Sequence, residues 1–323
     1  MNTDTNSGQL KRKYIVIDEI PLAEGAFGAV HKAFIRREDG GIDCIAVKVV
    51  KNRSIRLEEN AAFKLVTDVA TFIKYLGDHD PFVHENYISP KKFMDKEMIF
   101  MEFAVGGDLF KVNFQLHFLG ERLEGDAGRA YAMLVLKVVV LLHHEQLVHR
   151  DIKVENFLVR RIPGQPLTFA LGDAGFVTDE IFSNDCKVSN IISAPEMQNN
   201  ESHDLIKADM WSACIVAATP ILGRFDLSTA GARMSNGVEY VALQDERVRN
   251  DVLCVLPGDS QDLRAAKEFF SRAITVDPRN RRSAQELLND PYFFGLREDF
   301  DLGPVFDDLA RRFQVRGGTP FLS

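Results

Sequence analysis

Eight consecutive residues, His149-Arg150-Asp151-Ile152-Lys153-Val154-Glu155-Asn156, hold the densest chemistry in this 323-residue sequence. A carboxylate, an ammonium and an amide stand there, with Lys153 and Asn156 at offsets of two and five from Asp151. An Asp can orient a hydroxyl and accept its proton, a Lys can neutralise phosphate oxygens, and an Asn can ligate magnesium. Upstream, the apolar stretch Tyr131 to Val148 reads as a helix; downstream, Phe157 to Val159 reads as a short buried strand. The octet is then a loop between two packed elements. A lone His-Arg-Asp would read as a polar turn closing a helix, but eight residues in this pattern are far more specific.

Three other segments carry residues of matching chemistry. Glu24-Gly25-Ala26-Phe27-Gly28-Ala29-Val30 is a two-glycine turn between a strand over Tyr14 to Ala23 and another from His31 to Arg37. Glycine there lets backbone N–H groups approach phosphates that a Cβ would hold away, although an ordinary hairpin has the same signature. Cys44 to Val50 reads as an apolar strand with Lys48 inside it, costly unless the ammonium is paired or snorkels to solvent. A helix over Ser54 to Leu76, with Phe63, Val66, Ala70 and Ile73 on its buried face, carries Glu59 on that face and Glu58 beside it. Phe169 to Leu171 reads as a strand ending in Gly172-Asp173-Ala174-Gly175, and a strand-end carboxylate can hold magnesium or simply close a turn.

Composition narrows the classes. Lys plus Arg number 39 against 47 Asp plus Glu, a net charge of −8, which argues against nucleic acid or an anionic membrane as a general partner. The four cysteines have no metal-ligand spacing, and Met1 to Leu10 lacks the apolar core of a secretory signal, so a reduced, cytoplasmic setting is expected. The Ser/Thr/Asn-rich start would also suit a secreted bacterial effector acting in a host cytosol. No stretch holds the roughly 18 uninterrupted apolar residues of a membrane span.

The full pattern H-R-D-x-K-x-x-N resembles the catalytic loop of serine/threonine protein kinases, and the other segments fall in that family's order from about Tyr14 to Phe294. Lys48, 20 residues after Gly28, resembles the Val-Ala-Ile-Lys strand; Asp173-Ala174-Gly175, 22 residues after Asp151, resembles Asp-Phe-Gly; Ala194-Pro195-Glu196 matches Ala-Pro-Glu. Asp209-Met210-Trp211-Ser212, read as the start of a long apolar helix, and Asp277-Pro278 through Leu288 resemble two further motifs of the large lobe. The resemblance implies an α+β, two-lobed fold: an antiparallel sheet with one helix over residues 14–103, and a mainly helical lobe over 104–300. A flexible tail would cover 1–13 and a terminal helix or tail 301–323, with Val305 to Phe313 docked as a helix.

It also implies roles. Asp151 would act as base, with Lys153 and Lys48 offsetting phosphoryl charge and Glu59 holding Lys48. Gly25, Phe27, Gly28, Val30, Ala46, Lys48, Met101, Glu102, Ala104, Asp108 and Leu158 would contact ATP, Asp108 at the ribose, while Asn156 and Asp173 would hold Mg2+. Asp209 would anchor the catalytic-loop backbone, and Arg281 would pair with Glu196. Arg150 would meet a phosphate on the segment from Phe176 to Ser193, where Thr178, Ser183 and Ser189 are the hydroxyls; Asp179, Glu180 and Asp185 could supply charge instead.

The chain departs from the family at three places: Ala23 stands at the first glycine of the loop, Ala174 replaces Phe, and Cys214 replaces Gly. Ala174 would leave the active arrangement less firmly held or dependent on an activating protein partner. The expected function is phosphoryl transfer from ATP to Ser/Thr hydroxyls of protein substrates, with autophosphorylation. A pseudokinase scaffold is the alternative, and a small-molecule kinase a third that does not explain Glu196 and Arg281. Further expectations are an insertion at Gly77 to Glu85, strands near Tyr87 to Phe93 and Glu97 to Phe103, and a divergent region from Arg224 to Leu263.

Overall fold

The computed structural model describes residues 15–25, 27–36, 40–66, 72–79, 96–184, 192–198, 202–223, 253–297 and 299–318. The chain divides into two compact units, the first running to Ala104 and the second starting at Val105.

The first unit is an antiparallel sheet with one helix. Strands β1 (Ile15–Ile17), β2 (Ala23–Glu24), β3 (Gly28–Arg36) and β4 (Ile42–Val50) precede helix α1 (Arg53–Leu65); β5 (Tyr75–His79) and β6 (Glu97–Glu102) follow it. The sheet order is β1-β3-β4-β6-β5, with β2 paired to β3. Alternation along β4 and β6 separates two faces. One buries Ile45, Val47, Met98 and Phe100 against Ile17, Ala33 and Ile35. The other carries Ala46, Lys48 and Val50, which stand opposite Met101, Ile99 and Glu97. Asn52 caps α1 by accepting from the Ile55 N–H at 3.0 Å.

Two expectations about this unit need correction. The helix expected to reach Leu76 ends at Leu65, and Tyr75 to His79 is a strand on β6 rather than part of a helix and an insertion. Phe72 and Ile73 are buried as their spacing required, but outside the helix. Val66 is the C-cap, its N–H donating to the Phe63 carbonyl at 3.2 Å. The strand expected over Tyr14 to Ala23 is two short ones, interrupted before Pro21, which cannot donate to a ladder. Ala70, residues 80–85 of the expected insertion and the strand expected at Tyr87 to Phe93 lie outside the described residues.

The second unit is mainly helical. It contains α2 (Leu109–Leu119), α3 (Gly125–His144), β7 (Phe157–Arg160), β8 (Thr168–Leu171), β9 (Phe182–Ser183), β10 (His203–Asp204), α4 (Leu205–Leu222), α5 (Gln261–Ala273), α6 (Ala284–Leu288) and α7 (Gly303–Val315). Helix α3 begins well before Tyr131 and stops at His144, short of the expected Val148. Gln146 takes a left-handed backbone (φ 57°), after which Leu147 and Val148 are buried in extended chain.

Helix α4 begins at Leu205, capped by the Asp204 side chain, so Asp209 lies in its second turn and not at its start. By length and composition α4 could cross a membrane, but 89% of it is buried inside the protein. Helix α7 docks where Val305 to Phe313 suggested. Its Phe313 ring meets Phe118 (4.9 Å) and Phe114 (6.0 Å) edge-on, and Arg312 forms an ion pair with Glu121.

Arg281 braces this unit, and its side chain is fully buried. Its guanidinium grips Glu196 with two hydrogen bonds, at 2.6 and 3.1 Å. The remaining donors reach the carbonyls of Thr275 and Val276 (both 3.0 Å) and of Lys207, and the plane lies over the Trp211 ring at 5.3 Å. All five N–H donors are thus satisfied, which is the condition for burying a guanidinium. Arg281→Ala should cost about 3–5 kcal/mol because Glu196 is left unpaired. Arg281→Lys should not restore the loss, since an ammonium cannot reproduce the fork. Calorimetric unfolding of the two variants would test both outcomes.

Candidate active site

Lys48 sits on β4 with its ammonium 2.6 Å from Glu59 Oε1 on α1, both side chains buried. The choice between Glu58 and Glu59 is settled for Glu59, since Glu58 is exposed. Val30 stands opposite Lys48 on β3, and Ala46 opposite Met101 on β6. In the turn between β2 and β3, the Gly25 N–H donates to the Gly28 carbonyl at 2.9 Å. The two glycines serve different ends. A Cβ on Gly28 would lie 2.2 Å from the Val49 carbonyl oxygen, so packing alone requires glycine; around Gly25 a Cβ would meet no atom within 4 Å. Ala23 fits as a strand residue paired with Val30. Glu102 ends β6, its carboxylate accepting from the Lys74 N–H at 3.2 Å.

In the second unit the octet forms a tightly held loop whose last three residues, Val154 to Asn156, make a single 3-10 turn. The Asp151 carboxylate is 2% exposed, with Lys153 Nζ at 2.7 Å and Asn156 Nδ2 at 3.0 Å on the same oxygen. Asn156 Nδ2 also donates to the Asp151 carbonyl at 2.7 Å. This double use fixes the amide orientation and makes Oδ1 the atom presented to a cation.

Arg150 has a positive φ (63°), an uncommon state for a non-glycine residue. The Asp209 carboxylate holds it there, accepting from the His149 N–H (2.6 Å) and the Arg150 N–H (2.9 Å). The His149 ring is fully buried. Its Nδ1 accepts from the Asp151 N–H at 3.3 Å while Nε2 donates to the Gly172 carbonyl at 3.1 Å, and this pattern selects the Nε2–H tautomer. His149 therefore ties the catalytic loop to the residue before Asp173.

Asp173 also has a left-handed backbone (φ 51°) and accepts from the Gly175 N–H. The Gly172 N–H bonds the Asn156 carbonyl at 2.8 Å, so the two residues expected to hold magnesium lie on adjoining backbone segments. Among the described residues no group of three or more His, Cys, Asp or Glu side chains could cage a metal. An amide and a carboxylate are nevertheless what magnesium takes from a protein when phosphates and water supply its other ligands. The donor set therefore fits that ion.

Gly106 and Gly107 dock on β7, with the Gly106 N–H on the Val159 carbonyl and the Val159 N–H on the Gly107 carbonyl. This brings Asp108 beside Leu158 in an isolated bridge. Asp108 caps α2 through the Lys111 N–H at 2.9 Å, and burial, with the nearby Glu155 charge adding, pushes its carboxyl up to about 6.

Ala174 is fully buried and the Lys48–Glu59 pair is closed, so neither supports the loosened arrangement expected from the missing Phe. The Phe63 ring stacks on Tyr75 at 5.4 Å. Arg150 Nε donates to the Phe176 carbonyl at 2.6 Å. Ser183 lies in β9 and the Thr178 hydroxyl accepts from the Glu180 N–H, whereas Asp185 and Ser189 lie outside the described residues. The sequence reasoning missed a second buried ion pair, Arg56 of α1 with Glu97 of β6. Its trace was a charged residue opening the otherwise apolar Glu97-Met98-Ile99-Phe100-Met101 run.

Comparison with known proteins agrees with this geometry. A probable myosin light chain kinase of Dictyostelium discoideum is 24% identical over 98% of this chain and 86% of its own. A calcium/calmodulin-dependent protein kinase of Emericella nidulans is 27% identical over 93% of this chain and 68% of its own. A crystal structure of the Rad53 kinase domain superposes with a TM-score of 0.59 at 19% identity, covering 91% of this chain and 96% of that one, and so speaks for the fold. The protein kinase domain family matches residues 18–293, and the chain belongs to that family.

Proposed function

We propose that the protein transfers the γ-phosphoryl group of ATP, with magnesium, to serine or threonine hydroxyls of protein substrates. The observation that carries this reading is the Asp151 carboxylate, buried and held by Lys153 and Asn156 on a loop whose strained backbone Asp209 secures. Structural polar turns have no need of such an arrangement. The Ser/Thr choice is supported by Lys153, two residues after Asp151, and by relatives named as serine/threonine kinases, among them a ULK3 of Rattus norvegicus.

In this mechanism Asp151 orients the substrate hydroxyl and takes its proton as the oxygen bonds to phosphorus and the bond to the departing ADP oxygen breaks. Lys153, 2.7 Å from Asp151, offsets charge on the phosphoryl oxygens, and Lys48, held by Glu59, does the same for the nucleotide. As the family resemblance implies, the turn from Gly25 to Gly28 would hold the phosphates, Val30, Ala46, Met101 and Leu158 would contact the adenine, and Glu102 to Ala104 would offer it backbone groups. Asn156 Oδ1 and Asp173 would hold magnesium, which with ATP supplies the activated phosphoryl donor. Glu155 favours a basic residue beside the acceptor, and hydroxyls of the segment from Phe176 to Ser193 are the autophosphorylation sites.

Asp151→Asn should lower phosphoryl transfer from radiolabelled ATP by about 10²–10⁴-fold, with nucleotide affinity by calorimetry nearly unchanged. An unchanged transfer rate would remove Asp151 from the base role. A second test concerns Asp108, whose proton the folded protein holds more tightly than the unfolded chain does. Its contribution to stability therefore falls as pH rises from about 4 to about 6, and it is ionised above that. If ionised Asp108 accepts from the ribose, ATP affinity should weaken as pH falls through about 6, and Asp108→Asn should flatten that dependence. Titration calorimetry between about pH 5 and about pH 7, roughly one unit either side of that pKa, would read it.

A further inference from the structure

The buried Arg56–Glu97 pair has no part in the chemistry above, yet it lies on the same faces as the pair that does. Glu97 stands opposite Val50, and Lys48 stands opposite Ile99, so Glu97 and Lys48 project from one face of the sheet, two positions apart on adjacent strands. Arg56 and Glu59 are three residues apart on α1 and so share a helix face. The polarity is crossed: the sheet offers a cation at residue 48 and an anion at residue 97, while the helix offers an anion at residue 59 and a cation at residue 56. All four side chains are at most 8% exposed.

Crossed polarity specifies one placement of the helix. Sliding α1 so that Arg56 approached Lys48 would bring two cations together, and sliding it the opposite way would bring Glu59 toward Glu97. Both contacts are repulsive, and burial strengthens the repulsion. A single Lys48–Glu59 contact could be kept while α1 swung about that point; two contacts one helical turn apart cannot. Buried ion pairs contribute little net stability compared with well-packed apolar residues, and their best-attested use is to specify register.

We propose that Arg56, through Glu97, is a positioning residue that fixes the rotation and axial position of α1 so that Glu59 meets Lys48. This inference deepens the kinase reading and rests on it for its effect on turnover, but not for its effect on Lys48. The test replaces the pair together, Arg56→Met with Glu97→Leu, so that no lone charge is buried, in the full chain and again in a Glu59→Gln background. Calorimetric Tm should stay within about 4 °C of the parent, the equivalent of about 1–2 kcal/mol for a chain of this size. On the parent background kcat/KM for Mg-ATP with a Ser/Thr peptide library should fall about 10²-fold, the size of loss a small misplacement of catalytic groups produces. In the Glu59→Gln background the same replacement should cost no more than about twofold, because the contact it positions is already gone.

Equal losses in both backgrounds, or no loss in the parent, would overturn the proposal. A second measurement does not depend on catalysis: modification of Lys48 by an amine-reactive reagent, followed by mass spectrometry, should speed up several-fold in the double variant. It should return toward the parent rate in Arg56→Lys, which keeps the charge. An unchanged Lys48 rate would overturn the inference. A parent protein without phosphoryl transfer but with the expected Lys48 response would instead sink the functional reading and leave this one standing.

Discussion

One buried carboxylate governs the chemistry-bearing loop. Asp209 accepts two backbone N–H groups, from His149 and Arg150, and by doing so holds Arg150 in a left-handed conformation that the residue would otherwise leave. Such a state costs of order 1–3 kcal/mol and persists only where surrounding structure over-determines it. Everything downstream in the octet inherits its direction from that turn. Asp151 emerges with its carboxylate between Lys153 and Asn156, and Arg150 is turned toward the carbonyl of Phe176. The anchor comes from about 60 residues further along the chain, on a helix buried almost all round. The rigidity of the loop is thus borrowed from the deepest part of the second unit.

The same economy recurs around Asp173. Its backbone is also left-handed, and it is fixed through its neighbour Gly172, whose carbonyl takes the His149 ring and whose N–H takes the Asn156 carbonyl. A Cβ at Gly172 would lie 2.9 Å from the end of the Leu158 side chain, so a larger residue there would have to displace that methyl group. His149 acts here as a spacer with a donor at one end and an acceptor at the other. The strain and the tautomer act together to bring the side chains proposed to hold magnesium from two segments onto neighbouring backbone.

What could be read from the sequence follows from what kind of interaction made each feature. Lys48 and Glu59, Arg281 and Glu196, and the Asp209 anchor were legible because a buried charge demands a partner and the family pattern names it. Boundaries were less so. Hydrophobic spacing carried the expected α1 to Leu76, because Phe72 and Ile73 are buried as a helix face would be, while the chain had already turned toward a strand. Burial has the same signature in both elements when the run is short. The start of α4 was misplaced for a related reason: Asp209 looks like an N-terminal carboxylate, yet Asp204 caps the helix and Asp209 serves the distant loop. Of the Arg56–Glu97 pair only the Glu97 end left a trace, because no local pattern distinguishes a buried Arg on an amphipathic helix from a solvated one. The expected consequence of Ala174 failed because a vacancy inferred from a missing side chain says nothing of how closely the surrounding chain settles on it.

The docked α7 helix carries a consequence for where this domain physically ends. The match to the protein kinase domain family ends at residue 293, but Phe306, Leu309 and Phe313 are core residues, and the ring of Phe313 covers Phe114 and Phe118. Asp301 also secures the Leu167 N–H in the turn before β8. The end of the family match and the mechanical end of the domain therefore differ by about twenty residues. A fragment cut at the former would present an oily stripe of α2 to water, a recipe for self-association.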